Sequence, residues 1–302
     1  MADKTTRSEI IDGATLRRLS ERSDRLGLMQ LASHLALLLA TGLLVYHSRT
    51  TGWLVPAMIL HGIVLIFFFT PLHECIHRTA FASRRLNDAV GFVLGCLILL
   101  PREYFRAFHF AHHRFTQDPV RDPELAFPKP RSLRQWLWHV TGLPYWIGES
   151  RLLIDLARGK AEGSFYGNDR QRQDVVREAR LILAIYAVIL ALSLLLRSDA
   201  VLIYWVLPAV LGQPFLRLYL LAEHALCPET NDMLENSRTT YTTGIVRFLA
   251  WNMPYHIEHH AFPSVPFHAL PQLNALIAGK LKTTAPGYLA VQRQILRSFK
   301  RA

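Results

Sequence analysis

Eight of the fourteen histidines in this 302-residue chain fall into three short clusters, which we call boxes one, two and three. The members are His73 and His77 in box one, His109, His112 and His113 in box two, and His256, His259 and His260 in box three. Residues three or four apart share a helix face, so each box can direct two or three imidazoles at one locus. Imidazole suits iron, zinc, copper and nickel. Scattered histidines satisfied by hydrogen bonds do not explain two boxes of identical spacing.

Eight imidazoles are too many for one ion that takes four to six ligands, so the boxes indicate two metal ions with coordination positions left open. His224 follows the last long apolar run of the chain and is the natural ninth ligand. A helix-capping role is the alternative for His224 when it is considered alone.

Four apolar runs come close to the roughly 20 residues that a membrane-spanning helix needs, and they cover residues 28–46, 53–72, 180–196 and 201–222. The fourth run contains Gln213 and Arg217 as well as Pro208 and Pro214. Such residues are costly against lipid, so this run is expected to face a protein interior or a cavity.

A fifth apolar run, residues 89–101, is too short to span and suits a re-entrant or interfacial helix. The three boxes emerge on one side of the membrane only if this run does not cross it. The proline-rich stretch 116–130 is expected to be an irregular loop.

The net charge of +11 comes from basic residues that flank the apolar runs, a pattern of membrane topology rather than of nucleic-acid binding. The positive-inside rule places residues 1–27, 73–179 and 223–302 in the cytoplasm. We therefore predict an all-α integral membrane protein with one domain, 1–302. Four transmembrane helices form two hairpins under a cytoplasmic helical cap that includes the short re-entrant helix. No cleavable signal peptide is visible, and the three cysteines indicate free thiols.

The boxes HECIH, HFAHH and HIEHH, with the context NMPYHIEHHAFPSVPFHALP at 252–271, resemble the membrane fatty acid desaturase superfamily, which includes hydroxylases, carotenoid hydroxylases and ketolases. The resemblance spans roughly residues 53–275. It implies two non-haem irons, with His224 completing the ligand set. Two departures concern acyl-CoA desaturases: Leu220 stands where some have asparagine, and box one has the shorter H-x-x-x-H form.

The resemblance further implies that the protein uses O2 to oxidise a lipid. The first expectation is an acyl-lipid desaturase, and a hydroxylase or ketolase of a lipid or carotenoid is the alternative. No fused haem domain is evident, so a ferredoxin or a cytochrome b5-like protein is expected to supply electrons. Arg- and Ala-rich usage suggests a bacterial inner membrane, with termini and active site cytoplasmic. Five carboxylates are candidates for holding the ligand histidines from outside: Glu74, Asp118, Asp122, Glu223 and Glu258.

Two other classes of protein compete with this interpretation. Box one also reads as H-E-x-x-H, the zinc protease motif in which Glu74 would be the general base. That reading leaves boxes two and three without a role. A metal transporter would need ligands at midplane depth inside the spans, where His61 alone lies. The polar segment 236–240 could contact a substrate head group, brace the metal ligands or be a solvated loop.

Overall fold

The computed structural model describes residues 6–299, and nearly all of its regular structure is helical. The helices are α1 (Arg7–Ile10), α2 (Gly13–Leu19), α3 (Asp24–Ser48), α4 (Leu54–Ile66), α5 (Phe69–His77), α6 (Arg84–Ile98), α7 (Arg102–Phe115), α8 (Leu133–Val140), α9 (Leu143–Ala157), α10 (Asp169–Leu195), α11 (Leu207–His224), α12 (Gly244–Leu249), α13 (His256–Ala261), α14 (Leu270–Ile277) and α15 (Tyr288–Ser298). Shorter elements are the 3-10 turns Pro123–Ala126 and Ala278–Lys280 and the π-helical turn Leu202–Val206. Strands β1 (Thr239–Thr240) and β2 (Thr284–Ala285) form one parallel pair, with Thr239 opposite Thr284.

Four helical segments are long and apolar enough to cross a membrane, and they overlap the four predicted spans: Asp24–Ser48, Leu54–His77, Asp169–Leu195 and Leu202–His224. The second continues from α4 into α5, so box one lies on the last turns of a spanning segment. The first and third expose many leucines, as expected for surfaces that face lipid. His61, in the second span, is within hydrogen-bond distance of the first and fourth spans. Its Nδ1 is 2.9 Å from Thr41 Oγ1, and its Nε2 is 3.0 Å from the Tyr204 carbonyl oxygen.

Helices α4 and α11 cross with their backbones in contact. An added Cβ at Gly62 would lie 1.9 Å from the Pro208 oxygen, and one at Gly212 would lie 2.2 Å from the Gly62 carbonyl carbon. Only glycine permits this approach. The principal partner of α11 is therefore α4, whereas α10 packs mainly against α9 and α7. The third and fourth spans meet near the loop that joins them, where the rings of Tyr186 and Trp205 have centroids 5.8 Å apart. The arrangement of the four spans as two hairpins stays a prediction.

The fifth apolar run forms most of α6 and turns back on itself. Leu99 ends the helix in the left-handed region, at φ 61°, and the Leu100 amide donates to the Gly95 oxygen at 2.9 Å. Trp205 Nε1 donates to the Leu97 oxygen at 2.7 Å, which ties this turn to the start of the fourth span. The chain then returns through α7. The fifth run therefore does not separate boxes one and two.

The N-terminal helices α1 and α2 lie across box three. Arg7 Nε donates to the Ala261 oxygen at 2.6 Å, directly after the last histidine of that box. Ile10 and Leu19 are buried in a hydrophobic cluster with residues of α13 and α14. The single domain 1–302 and the cytoplasmic position of the regions beyond the spans remain predictions.

Candidate metal centre

Five histidines from all three boxes form the first group, which we call the five-histidine group. One nitrogen from each lies within 4.8 Å of the others, and the members are His73, His77, His109, His113 and His259. The Nε2 atoms of His73 and His109 are 2.7 Å apart, and His113 Nε2 is 2.9 Å from the same His109 atom. Helices α5, α7 and α13 each contribute, so residues far apart in the chain meet at one point.

A second group, the four-histidine group, lies beside the first. Nitrogens of His112, His224 and His260 lie within 4.8 Å of one another, and His256 Nε2 is 2.9 Å from His224 Nε2. His224 is the last residue of α11, so the fourth span delivers it directly to the centre. All nine histidines singled out from the sequence are thus placed in two adjoining groups.

The geometry and ionisation of these rings fit metal ligation. Nitrogens bound at about 2.1 Å and at right angles on one ion are roughly 3 Å apart, close to the separations between these Nε2 atoms. Burial, together with the neighbouring imidazoles, holds the pKa values of His109, His113, His259 and His260 well below the usual range. Neutral imidazoles keep the lone pair that a metal needs. Nine nitrogen donors in two groups fit two ions of intermediate softness, such as iron.

Two of the five predicted carboxylates contact ligand histidines. Asp122 is buried, and its Oδ1 lies 2.9 Å from His112 Nδ1. Its Oδ2 accepts from the Gln117 amide at 2.8 Å, so the carboxylate is itself held in place. Glu223 Oε1 lies 3.5 Å from His256 Nδ1, a longer contact. The Asp122 contact fixes the His112 ring and leaves its Nε2 directed at the four-histidine group, whereas Glu223 and His256 are too far apart for a hydrogen bond.

The other three predicted carboxylates do not contact ligand histidines in the described chain. Glu74 accepts from Thr79 Oγ1 at 2.8 Å and from the Phe267 amide at 3.2 Å. Glu258 accepts from Thr239 Oγ1 and Asn274 Nδ2, while Asp118 pairs with Arg121. Neighbours on a helix point about 100° apart, so Glu74 and Glu258 turn away when the adjacent histidines face the centre.

Glu124 is a candidate that sequence reasoning missed. Its Oε2 lies 3.3 Å from His112 Nε2, the nitrogen that faces the four-histidine group. The Asp122 side chain accepts from the Glu124 amide at 3.0 Å and starts the 3-10 turn Pro123–Ala126. The sequence feature that could have identified Glu124 is its position two residues after Asp122 in the proline-rich loop. A loop has no periodicity, however, so the direction of the Glu124 side chain could not be predicted.

The buried segment 236–240 braces the centre and is not a solvated loop. His224 Nδ1 is 3.3 Å from the Asn236 carbonyl oxygen, which orients that ring. Arg238 donates from its guanidinium to the carbonyl oxygens of Ala222 and Ala225 at the end of α11. These bonds satisfy carbonyl groups that a helix terminus leaves without partners.

A cavity of about 960 Å³ opens onto the two groups. It reaches five of the nine histidines: His73, His109, His112, His224 and His256. Apolar side chains form much of the wall, among them Phe69, Tyr104, Phe105, Phe108, Leu152 and Leu220. The cavity thus has room for a hydrocarbon chain against the imidazole groups.

Comparison with known proteins agrees with this arrangement. The sequence profile of the family described as "Fatty acid desaturase" matches residues 50–291. The dihydrorhizobitoxine desaturase of Bradyrhizobium elkanii is 25% identical over 253 residues, which cover 79% of this chain and 70% of that protein. The sphingolipid delta(4)-desaturase DES1 of Drosophila melanogaster is 24% identical, covering 83% of this chain and 74% of that protein.

A Delta(12) fatty acid desaturase of Mortierella isabellina is 35% identical over 85 residues, which are 28% of this chain and 20% of that protein. The names of these relatives differ in substrate but agree in reaction. The protein is an oxidoreductase, and it belongs to the fatty acid desaturase family.

Proposed function

We propose that this protein is an O2-dependent di-iron lipid oxidase that introduces a carbon–carbon double bond into an acyl lipid. The observation that carries the proposal is the pair of adjoining histidine groups at the wall of an apolar cavity. Family membership supports the reaction class, and the apolar cavity supports a substrate with a hydrocarbon chain.

In this proposal the five-histidine group holds one iron and the four-histidine group holds the other. Glu124 offers a carboxylate oxygen to the second position, because it lies beside His112 Nε2. When bound, the two irons would use O2 and electrons from a donor to remove hydrogen from an unactivated C–H bond. Asp122 keeps the His112 ring in the orientation that ligation requires.

The cavity wall would position the substrate and exclude water. Phe105 and Phe108 lie on α7, the helix that carries box two, so the substrate contacts and the ligands share one rigid element. A carbon held against His109 and His112 would be close to both groups. Rigid placement of this kind determines which carbon reacts.

The proposal places the centre and both termini in the cytoplasm, within a bacterial inner membrane. It assigns electron supply to a separate ferredoxin or cytochrome b5-like protein. The net charge of +11 would favour association with an acidic donor.

The test is expression in a host of known lipid content, with mass spectrometry of the extracted lipids and iron measured in the purified protein. We expect a product that has lost two hydrogens, and about two irons per chain. His112→Ala and His259→Ala should abolish the product, while His47→Ala, which changes an exposed histidine at the end of α3, should retain it. A product that persists in both ligand variants would overturn the assignment of the site.

The same experiment separates the alternatives. Gain of one oxygen would identify a hydroxylase, and replacement of two hydrogens by one oxygen would identify a ketolase. A zinc protease would contain one zinc per chain, and its general base would face the metal. The contacts of Glu74 with Thr79 and Phe267 favour the oxidase over the protease.

A further inference from the structure

Several charged side chains line the cavity, and the region around Arg217 is called its charged end here. Arg217, Glu149, Tyr145 and His139 line it alongside the apolar residues. Arg217 lies on α11 seven residues before His224, which is nearly two helical turns. The two side chains therefore share a face of α11, and their backbones are about 10 Å apart along the helix axis. The charged end is thus separated from the imidazole groups by a defined length.

The contacts of Arg217 leave its positive charge without a direct counter-charge. Rotating the Gln213 amide by 180° lets its oxygen accept from Arg217 Nε at 3.2 Å and from Nη2 at 3.3 Å, and this orientation satisfies both groups. The guanidinium carbon lies 4.5 Å from the centre of the Tyr145 ring. Within residues 6–299, no carboxylate oxygen lies within 4.0 Å of its nitrogens. An arginine inside a spanning segment is costly and usually serves an ion or a ligand.

Glu149 faces the same space from α9 but is not paired with Arg217 at salt-bridge distance. Its Oε2 is buried and has no hydrogen-bond partner in the described chain. The Tyr145 hydroxyl is already committed, because it donates to the Ile98 oxygen at 2.7 Å. The Arg217 guanidinium is therefore free to bind an anion in the cavity, whose wall also carries Lys129 and Arg131, and a fork of N–H donors suits a carboxylate or phosphate.

We propose that Arg217 binds a compact oxyanion on the substrate and thereby sets the distance from that head group to the carbon that is oxidised. This inference rests on the proposed function, because the same cavity must hold the reacting chain. In this inference the head group of the substrate, and not the methyl end of its chain, lies at the charged end of the cavity. The position of reaction would then be counted from the head group, and the substrate would be a free acid or a phosphate rather than a neutral ester or a carotenoid.

The test measures binding to the purified, iron-loaded protein in non-ionic detergent. Three ligands of equal chain length are compared: a fatty acid, its methyl ester and the alkyl phosphate. We expect the acid or the phosphate to bind about 10-fold to 100-fold more tightly than the ester, as for a charged hydrogen-bonded pair. The stronger of the two identifies the source of the oxyanion. Equal binding of all three would overturn the proposal without any variant.

Variants then assign the effect to Arg217. Arg217→Gln should lose the preference for the anion, while Arg131→Gln, which removes another arginine of the same cavity wall, should retain it. Arg217→Lys keeps the charge and should keep most of the preference, which guards against a Gln variant that fails to fold. An unchanged preference in a folded Arg217→Gln protein would overturn the proposal.

A substrate series separates this inference from the proposed function. Acids of increasing length should give products altered at a constant distance from the carboxyl carbon. If oxidation occurs but its position is constant from the methyl end, the inference fails and the proposed function stands. If anions bind through Arg217 and no lipid is oxidised, the proposed function fails and the binding site stands.

Discussion

His113 and His260 stack with ring centroids 4.1 Å apart and planes inclined by 13°, which joins the five-histidine group to the four-histidine group. His113 comes from α7 and His260 from α13. Removing one ring therefore changes the packing of a ligand in the other group.

His113→Ala is accordingly expected to impair both metal positions. It deletes a nitrogen from the five-histidine group and leaves a gap against His260 in the four-histidine group. We predict that iron per chain falls below about half of the wild-type content, as measured by elemental analysis. Clean loss of one iron, with the other retained at wild-type affinity, would contradict the coupling. His47→Ala controls for loss of an exposed histidine.

Asp122→Asn tests how much the buried carboxylate contributes through His112. The change keeps the shape of the side chain and removes the charge beside Nδ1. We expect metal affinity or oxidation rate to fall by about 10-fold to 100-fold. Asp118→Asn is the matched control, since Asp118 pairs with Arg121 and is expected to leave both quantities near wild type. Similar losses in the two variants would mean that loop folding, rather than ring orientation, is affected.

Gly62→Ala tests the backbone contact between α4 and α11. The added methyl would overlap the Pro208 carbonyl, so the two helices must separate. We predict a loss of about 1–3 kcal/mol or more in unfolding free energy, seen as a melting temperature several degrees lower in detergent. Gly244→Ala adds a methyl that meets no heavy atom within 4 Å, and it should change stability by less than about 0.5 kcal/mol. Equal melting temperatures for both variants would refute close backbone contact.

Anion binding at the charged end of the cavity should depend on pH through Glu149. Burial raises the pKa of Glu149 to about 7, and the charge of Arg217 opposes this rise. The neighbouring His139 and Tyr145 do not change charge in this range, because burial lowers the pKa of His139 to about 4 and raises that of Tyr145 well above its usual value. Below about pH 7 the Glu149 carboxyl is neutral, and above it a carboxylate repels the ligand.

We therefore predict that an alkyl sulfonate, which stays ionised throughout, binds more weakly as the pH rises from about 6 to about 8. Isothermal titration at several pH values measures the effect. The affinity of the Glu149→Gln protein for the sulfonate should not change with pH, and it should equal the affinity of the wild type at low pH. A wild-type affinity that rises with pH would contradict the assignment.

The four spans could be predicted from the sequence because each is a continuous apolar run, and run length is the property that a bilayer selects. The ligand histidines were predictable for a similar reason, since their spacing matches the helical repeat. Arg217 was also visible, as a charge inside an apolar run. The partner of α11 was not predictable, because contact through Gly62 and Gly212 involves no side chain from which a pattern could be read.

Carboxylates around the centre were harder to assign. Adjacency in sequence suggested Glu74 and Glu258, yet adjacent residues on a helix point in different directions. Asp122 and Glu124 reach His112 from an irregular loop whose path depends on tertiary contacts such as the bond from the Gln117 amide to Asp122. Local pattern carries little information about such contacts.

Twelve of the residues that line the cavity lie between positions 127 and 149, and none of the nine ligand histidines lies in that segment. This part of the cavity wall is thus separate in sequence from the metal ligands, whereas Phe105, Phe108 and Arg217 share helices with them. Mutations within 127–149 could reshape this part of the wall without changing a ligand, so the segment is a natural unit for exchange between relatives. Chimaeras that exchange residues 127–149 between relatives would show whether new chemistry in this family arises by replacing this part of the cavity wall while the metal ligands stay the same.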